Sequence, residues 1–145
     1  MNTSERIPHT TPLQDMGRLL MGSVLVTAGV GHLTFARDEF PAQVPEALVN
    51  GPLHFDEDFI VLASGVVEIG LGAALLAAPA PQRQNVGHVA AAFFTAVFPG
   101  NISQYLTRTD AFGLNSDAAR MGRLFLQPVL VAGALWVTGA WPRRR

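Results

Sequence analysis

Residues 59–78 read FIVLASGVVEIGLGAALLAA, and the fold turns on them. Twenty mostly apolar residues are about what a helix needs to span a bilayer. Within the stretch only Ser64 and Glu68 carry polar side chains. An ionised, unpaired carboxylate at that depth costs at least a few kcal/mol, roughly. Glu68 must therefore be protonated, paired, or turned toward water inside a bundle.

Working outward, the apolar residues collect in three further blocks, Met16–Phe35, Val86–Leu106 and Gly122–Trp141, while the charges collect between them. A helix of a water-soluble bundle normally carries a charged outer face. None of these blocks does, so a soluble four-helix core is the weaker reading. The sequence predicts an all-α integral membrane four-helix bundle, with antiparallel up-down spans and a long structured first loop. It forms a single domain over residues 16–142, between a mobile tail at 1–15 and a basic tail at 143–145. The first block is not expected to be a cleaved leader, because no A-x-A-like site follows it.

The chain contains no cysteine, which excludes thiolate chemistry, disulfides and thiolate metal sites. A net charge of −1 gives no basic surface for nucleic acid. All 10 basic residues are arginines. With four spans, Arg6, Arg18, Arg83 and Arg143–Arg145 fall on one side, against Arg37, Arg108, Arg120 and Arg123 on the other. The bias places both termini in the cytoplasm, in a bacterial-type plasma membrane, with the acidic loop 36–58 facing outward.

Gly22, Leu25, Gly29 and His32 share one face of the first span, where small residues let helices approach closely. Gly70, Ala74 and Ala78 form a small-residue ridge on the second span, suited to packing within the bundle or to a homo-oligomer. Pro99 removes the hydrogen bond to the Thr95 carbonyl and should bend or end the third helix, turning Asn101 inward. Pro128 does the same to the Leu124 carbonyl.

At about 1.5 Å of rise per residue, His32, Ser64, Glu68, Asn101, Gln104, Arg123 and Gln127 all fall in the outer half of the bundle. That half also holds both internal prolines. The sequence therefore predicts a polar cavity there, with Glu68, His32 and Asn101 as the chemical groups and Ser64, Gln104, Arg123 and Gln127 lining the pocket. Each has a plainer reading. Glu68 could fix helix register, His32 could sit among headgroups, and Asn101 and Gln127 could satisfy proline-freed carbonyls. His88 reads as interfacial, and His9 and His54 as solvated. His32 and Glu68 alone supply too few ligands for a metal site.

The motifs Gly29-Val-Gly-His32-Leu-Thr-Phe35, Phe40-Pro41, Val44-Pro45, Ser64-Gly65-Val-Val-Glu68-Ile-Gly70 and Phe98-Pro99-Gly-Asn101 resemble, in this order, the DoxX-like family of small four-helix membrane proteins. The resemblance extends over residues 16–140. Gly100 departs from the alanine common at that position. The resemblance implies a redox-associated membrane subunit, with no intrinsic cofactor, that meets a quinone-like lipophilic ligand or a membrane or soluble oxidoreductase partner. It also implies that His32, Glu68 and Asn101 are the recurring polar positions. Two other functions fit the residues. One is a membrane enzyme using Glu68 and His32 for acid–base chemistry on a lipophilic substrate, as an isomerase, cyclase or epoxide-opening enzyme. The other is a non-catalytic binding or transport module.

Overall fold

The computed structural model describes residues 9–141. Arg6, Pro8, Pro142 and the tail Arg143–Arg145, all used in the sequence reading, lie outside the described residues.

Helix α1 is Pro12–Leu33. It begins earlier than the expected Met16 because Thr11 and Gln14 form a capping box and Pro12 occupies the first helical position. Residues 12–15, expected in a mobile tail, are therefore helical. A single 3-10 turn at Phe40–Gln43 and the short helix α2, Glu46–Val49, break up the first long connection. Helix α3, Glu57–Ala77, is capped by Asp56, whose carboxylate accepts from the Phe59 amide. The acidic Glu57 and Asp58 in its first turn complement the helix dipole.

The expected third span is two helices, α4 at Arg83–Ala96 and α5 at Phe98–Thr107. They separate at Val97, two residues before Pro99, because proline cannot continue the ladder and restricts the residue before it. Helix α6 is Asp117–Val137, capped by the Ser116 hydroxyl on the Ala119 amide. It starts five residues before the expected Gly122, so Arg120 and Arg123 lie within the helix. Pro128 sits inside α6 without ending it.

The described residues contain no strand. Three helical segments are long and apolar enough to cross a membrane: Pro12–Leu33, Glu57–Ala77 and the composite Ala80–Thr107. Large apolar side chains cover the outward faces, with Leu20 68 %, Phe125 69 % and Val66 62 % exposed.

Helix α1 packs along α3, and α4 packs along α6. The α1–α3 seam is made of glycines. A Cβ on Gly29 would lie 2.5 Å from the Gly65 carbonyl oxygen, and one on Gly22 would lie 2.9 Å from that of Gly72. Backbones can touch there because both sides lack a side chain. The expected ridge Gly70-Ala74-Ala78 is not this seam. Gly70 is exposed, with nothing within 4 Å of where its Cβ would be. Both sets of small residues repeat at helical spacing, and spacing alone does not say which set faces a neighbour.

The apolar core is Leu25, Leu71, Leu75, Ala90, Ala91, Phe94 and Ala134. At the end of the bundle near the termini, α1 meets α6 closely, and a Cβ on Gly17 would touch Val137 at 2.8 Å. Toward the other end a cavity opens between the two helix pairs.

Candidate functional site

The glycine seam sets the first half of the site. A Cβ on Gly65 would lie 2.6 Å from the His32 Cβ, so glycine at 65 lets the imidazole settle against α3. There His32 meets three groups. Its Nδ1 lies 3.1 Å from the Val61 carbonyl oxygen and 2.8 Å from the Ser64 Oγ, and its Nε2 lies 3.5 Å from Glu68 Oε2.

A carbonyl oxygen only accepts, so Nδ1 carries a proton and donates toward Val61 and Ser64. The Ser64 hydroxyl donates to the same Val61 carbonyl at 2.9 Å. With its proton on the Val61 carbonyl, Ser64 serves to position the imidazole. Nε2 is thereby turned to Glu68. Glu68 has no hydrogen-bond partner at Oε2, which is enclosed. The contact is an ion-pair distance without hydrogen-bond geometry.

The second half is built at the helix break. With the ladder interrupted around Val97, the Phe94 carbonyl accepts from Gln127 Nε2 on α6. That contact fixes the amide, so Gln127 presents Oε1 to the bundle. Oε1 accepts from Asn101 Nδ2 at 3.0 Å and from Arg123 Nη1 at 2.9 Å. Asn101 is thus turned inward, as the proline argument required, and is 3 % exposed. Its Oδ1 is buried without a partner. Arg123 lies within electrostatic reach of Glu68.

The first connection, read from the sequence as short turns lying on the membrane surface and capping one end of the bundle, closes over this end. Phe40 packs against the His32 ring with the two planes tilted at 46°, and meets Phe112 edge-on at 4.8 Å. Gln43 Nε2 donates to Gln104 Oε1 at 3.2 Å, and Gln104 Nε2 donates to the Thr109 carbonyl. Gln104, expected to line the pocket, instead spends its amide on holding this plug and lies outside the cavity wall. A Cβ on Gly100 would overlap the Gln43 carbonyl. Glycine at position 100 therefore seats the plug. The signal was Phe40-Pro41-Ala-Gln43-Val-Pro45, an apolar and polar pair held stiff by two prolines.

A family model described as Domain of unknown function (DUF8561) matches residues 21–138. The chain belongs to this family. No curated protein and no solved structure matches it. The DUF8561 match holds every candidate residue from His32 to Gln127, whereas Asp15 and Arg18 precede it.

Within this DUF8561 domain the polar groups line one cavity of about 1040 Å³. His32, Ser64, Glu68, Asn101, Arg123 and Gln127 share its wall with Phe40 and Gln43. The rest of the wall is apolar and follows α1 from Ala28 to Gly17, facing Phe93, Phe94 and Leu130. The cavity is thus amphipathic, with hydrogen-bonding groups at the plugged end and an apolar trough leading away. Among the described residues, no three His, Asp or Glu side chains come together to hold a metal ion.

Proposed function

We propose that this chain is a four-span integral membrane protein that binds a lipophilic small molecule, head group first, in the cavity around Glu68. The observation that carries the reading is the Glu68 carboxyl, which makes no hydrogen bond at Oε2, at the polar end of an apolar trough. Ionisable groups inside spans are rare, and a carboxyl retained there without a structural partner points to a ligand. Exposed apolar side chains on the outer helix faces support the bilayer setting. Both termini are assigned to the cytoplasm of a bacterial-type plasma membrane, so the plugged end faces outward. A Gln82→Cys protein tests this: impermeant thiol reagent should label it only after cells are opened.

The DoxX-like resemblance supplies the ligand class and context, a quinone-like ring and a redox-associated membrane subunit working with an oxidoreductase partner. Mass spectrometry of molecules co-purifying in mild detergent is the test. Wild type should retain a lipophilic compound that Glu68→Leu loses. A wild-type preparation that retains nothing beyond bulk lipid overturns the reading.

One observation favours acid–base catalysis as a second reading. His32 Nε2 faces Glu68 Oε2 at 3.5 Å beside the cavity, two titratable groups of the kind a general acid and base need. On a substrate that turns over, Glu68→Gln should bind but not react. Full activity in that variant removes the glutamate from the chemistry.

A further inference from the structure

Arg18, Arg37, Arg83, Arg108 and Arg120 each lie within ion-pair distance of an aspartate. Arg123 alone among the described arginines has no carboxylate within that distance. Its one hydrogen bond to the described residues goes to a neutral group, Gln127 Oε1, at 2.9 Å. A guanidinium carries five N–H groups, so most of its donors are left over. None of its nitrogens is among the enclosed polar atoms that lack a partner, and Arg123 lines the cavity. The remaining donors therefore border open volume. An arginine near the outer end of a span often bends back toward the lipid head groups. Arg123 does the opposite. It lies on the second turn of α6 and reaches one turn further in, to an amide that is 2 % exposed. That amide is itself held by the Phe94 carbonyl, so the guanidinium is anchored on the cavity wall. Glu68 lies within electrostatic reach of Arg123 but faces His32, its Oε2 3.5 Å from Nε2. A proton on either member of that pair leaves the pair neutral as a whole. It then neither serves Arg123 as a counterion nor opposes a second anion.

We infer that the cavity takes an amphiphile with an anionic head, a long-chain carboxylic acid, with its carboxylate on Arg123 and its tail along the apolar trough. A cation inside a span is expensive without a partner. A carboxylate matches the planar fork of a guanidinium, and the bonds between them are charge-assisted on both sides. The matching ester still offers a carbonyl oxygen but brings no charge. An anionic head could also come from a bilayer phospholipid, and size separates the two sources. A methylene fills about as much liquid volume as a water, roughly 30 Å³. A phospholipid with two myristoyl tails then needs about 1,200 Å³ or more, above the roughly 1040 Å³ of the cavity. Myristic acid needs only about 500 Å³ on the same scale. This inference rests on the ligand-binding reading of the same cavity.

The probes are myristate and methyl myristate, which differ by one methyl group and one charge. The protein is reconstituted in phosphatidylcholine nanodiscs, and retention of each probe is measured against empty nanodiscs. Myristate should bind about ten- to a hundredfold more tightly than its ester, the range expected when charge-assisted hydrogen bonds replace neutral ones. Arg123→Leu should erase that preference, and Arg123→Lys, which keeps the charge but not the fork, should retain part of it. Equal binding of acid and ester to wild type overturns the anion assignment while leaving the cavity as a lipophile site. Retention of neither probe above empty nanodiscs overturns the ligand-binding reading itself. An undiminished preference in Arg123→Leu places the selectivity elsewhere and overturns the inference. In a further arm the nanodiscs contain phosphatidylglycerol. Loss of myristate to that lipid overturns the free acid as the ligand and assigns the anion to the bilayer; unchanged retention supports the acid. If Arg123→Leu does not fold, as circular dichroism reports, Arg123→Lys and the wild-type probe pair still decide.

Discussion

The two ends of the bundle are both polar inside, but they handle their polar groups in opposite ways. At the end near the termini, Arg18 is 5 % exposed and donates to the carbonyls of Leu75 and Leu76 in the last turn of α3. Arg83 joins Thr10 at 2.9 Å and Asp15 at 3.0 Å, while Gln84 caps the Gly139 carbonyl at 2.8 Å. These contacts tie side chains to helix ends that would otherwise leave carbonyls bare. Arg18 Nε is the one orphaned atom there among the described side chains. At the plugged end, Glu68 Oε2 and Asn101 Oδ1 are orphaned, and they share a cavity. Polar groups spent on backbone hold the fold. Polar groups left over, beside open volume, are available to something else.

The sharpest test of that division begins with the seam both ends share. Gly29→Val drives a side chain into the Gly65 carbonyl, which cannot move aside, and should cost about 3 kcal/mol or more and prevent recovery of folded protein. Gly70→Val, which meets nothing within 4 Å, should leave thermal stability unchanged. Equal loss in both variants would place the seam elsewhere. Next comes the satisfied end. Arg18→Leu removes the donors to the α3 carbonyls and should destabilise by about 2 kcal/mol, read by denaturant titration in detergent. Probe binding by the folded fraction should be unchanged.

At the plugged end, Gly100→Ala pushes against the Gln43 carbonyl and should displace the plug, costing about 1–2 kcal/mol. It should also raise protease cleavage within residues 36–56, with little change in helix content. The smallest stability effect belongs to Glu68→Leu. It replaces a carboxyl without a hydrogen bond by a side chain that lipid and core both accept, so stability should stay level or rise. Ligand retention should be lost. A large loss of stability would make Glu68 structural and erase the contrast between the ends.

Much of this was legible in the chain. The face Gly22, Leu25, Gly29, His32 follows from a spacing of seven, and all four are buried. The break before Pro99 follows from a missing N–H. What escaped was set by partners the sequence does not name. Choosing Gly65 and Gly72 over Gly70, Ala74 and Ala78 needs the position of α1. The donor directions of His32 and Gln127 come from the Val61 and Phe94 carbonyls, and every residue carries a carbonyl. That loop 36–58 caps one end was read from its prolines and interleaved apolar residues, but its contacts through Phe40 and Gln43 were not, because their partners His32 and Gln104 lie on other elements. Helices α1 and α6 start early because Thr11-Pro12 and Ser116-Asp117 are start signals that a search for apolar blocks passes over.

The glycine seam also orders the molecule in time. Both of its sides, and His32, Ser64 and Glu68 with them, are encoded by Ala77, the last residue of α3. Asn101, Arg123 and Gln127 leave the ribosome later. At a synthesis rate of about 5–20 residues per second, the gap between Glu68 and Gln127 lasts several seconds. The first helix pair needs nothing from the second to bring its backbones together, so the His32–Glu68 wall of the cavity can be standing before the amide wall exists.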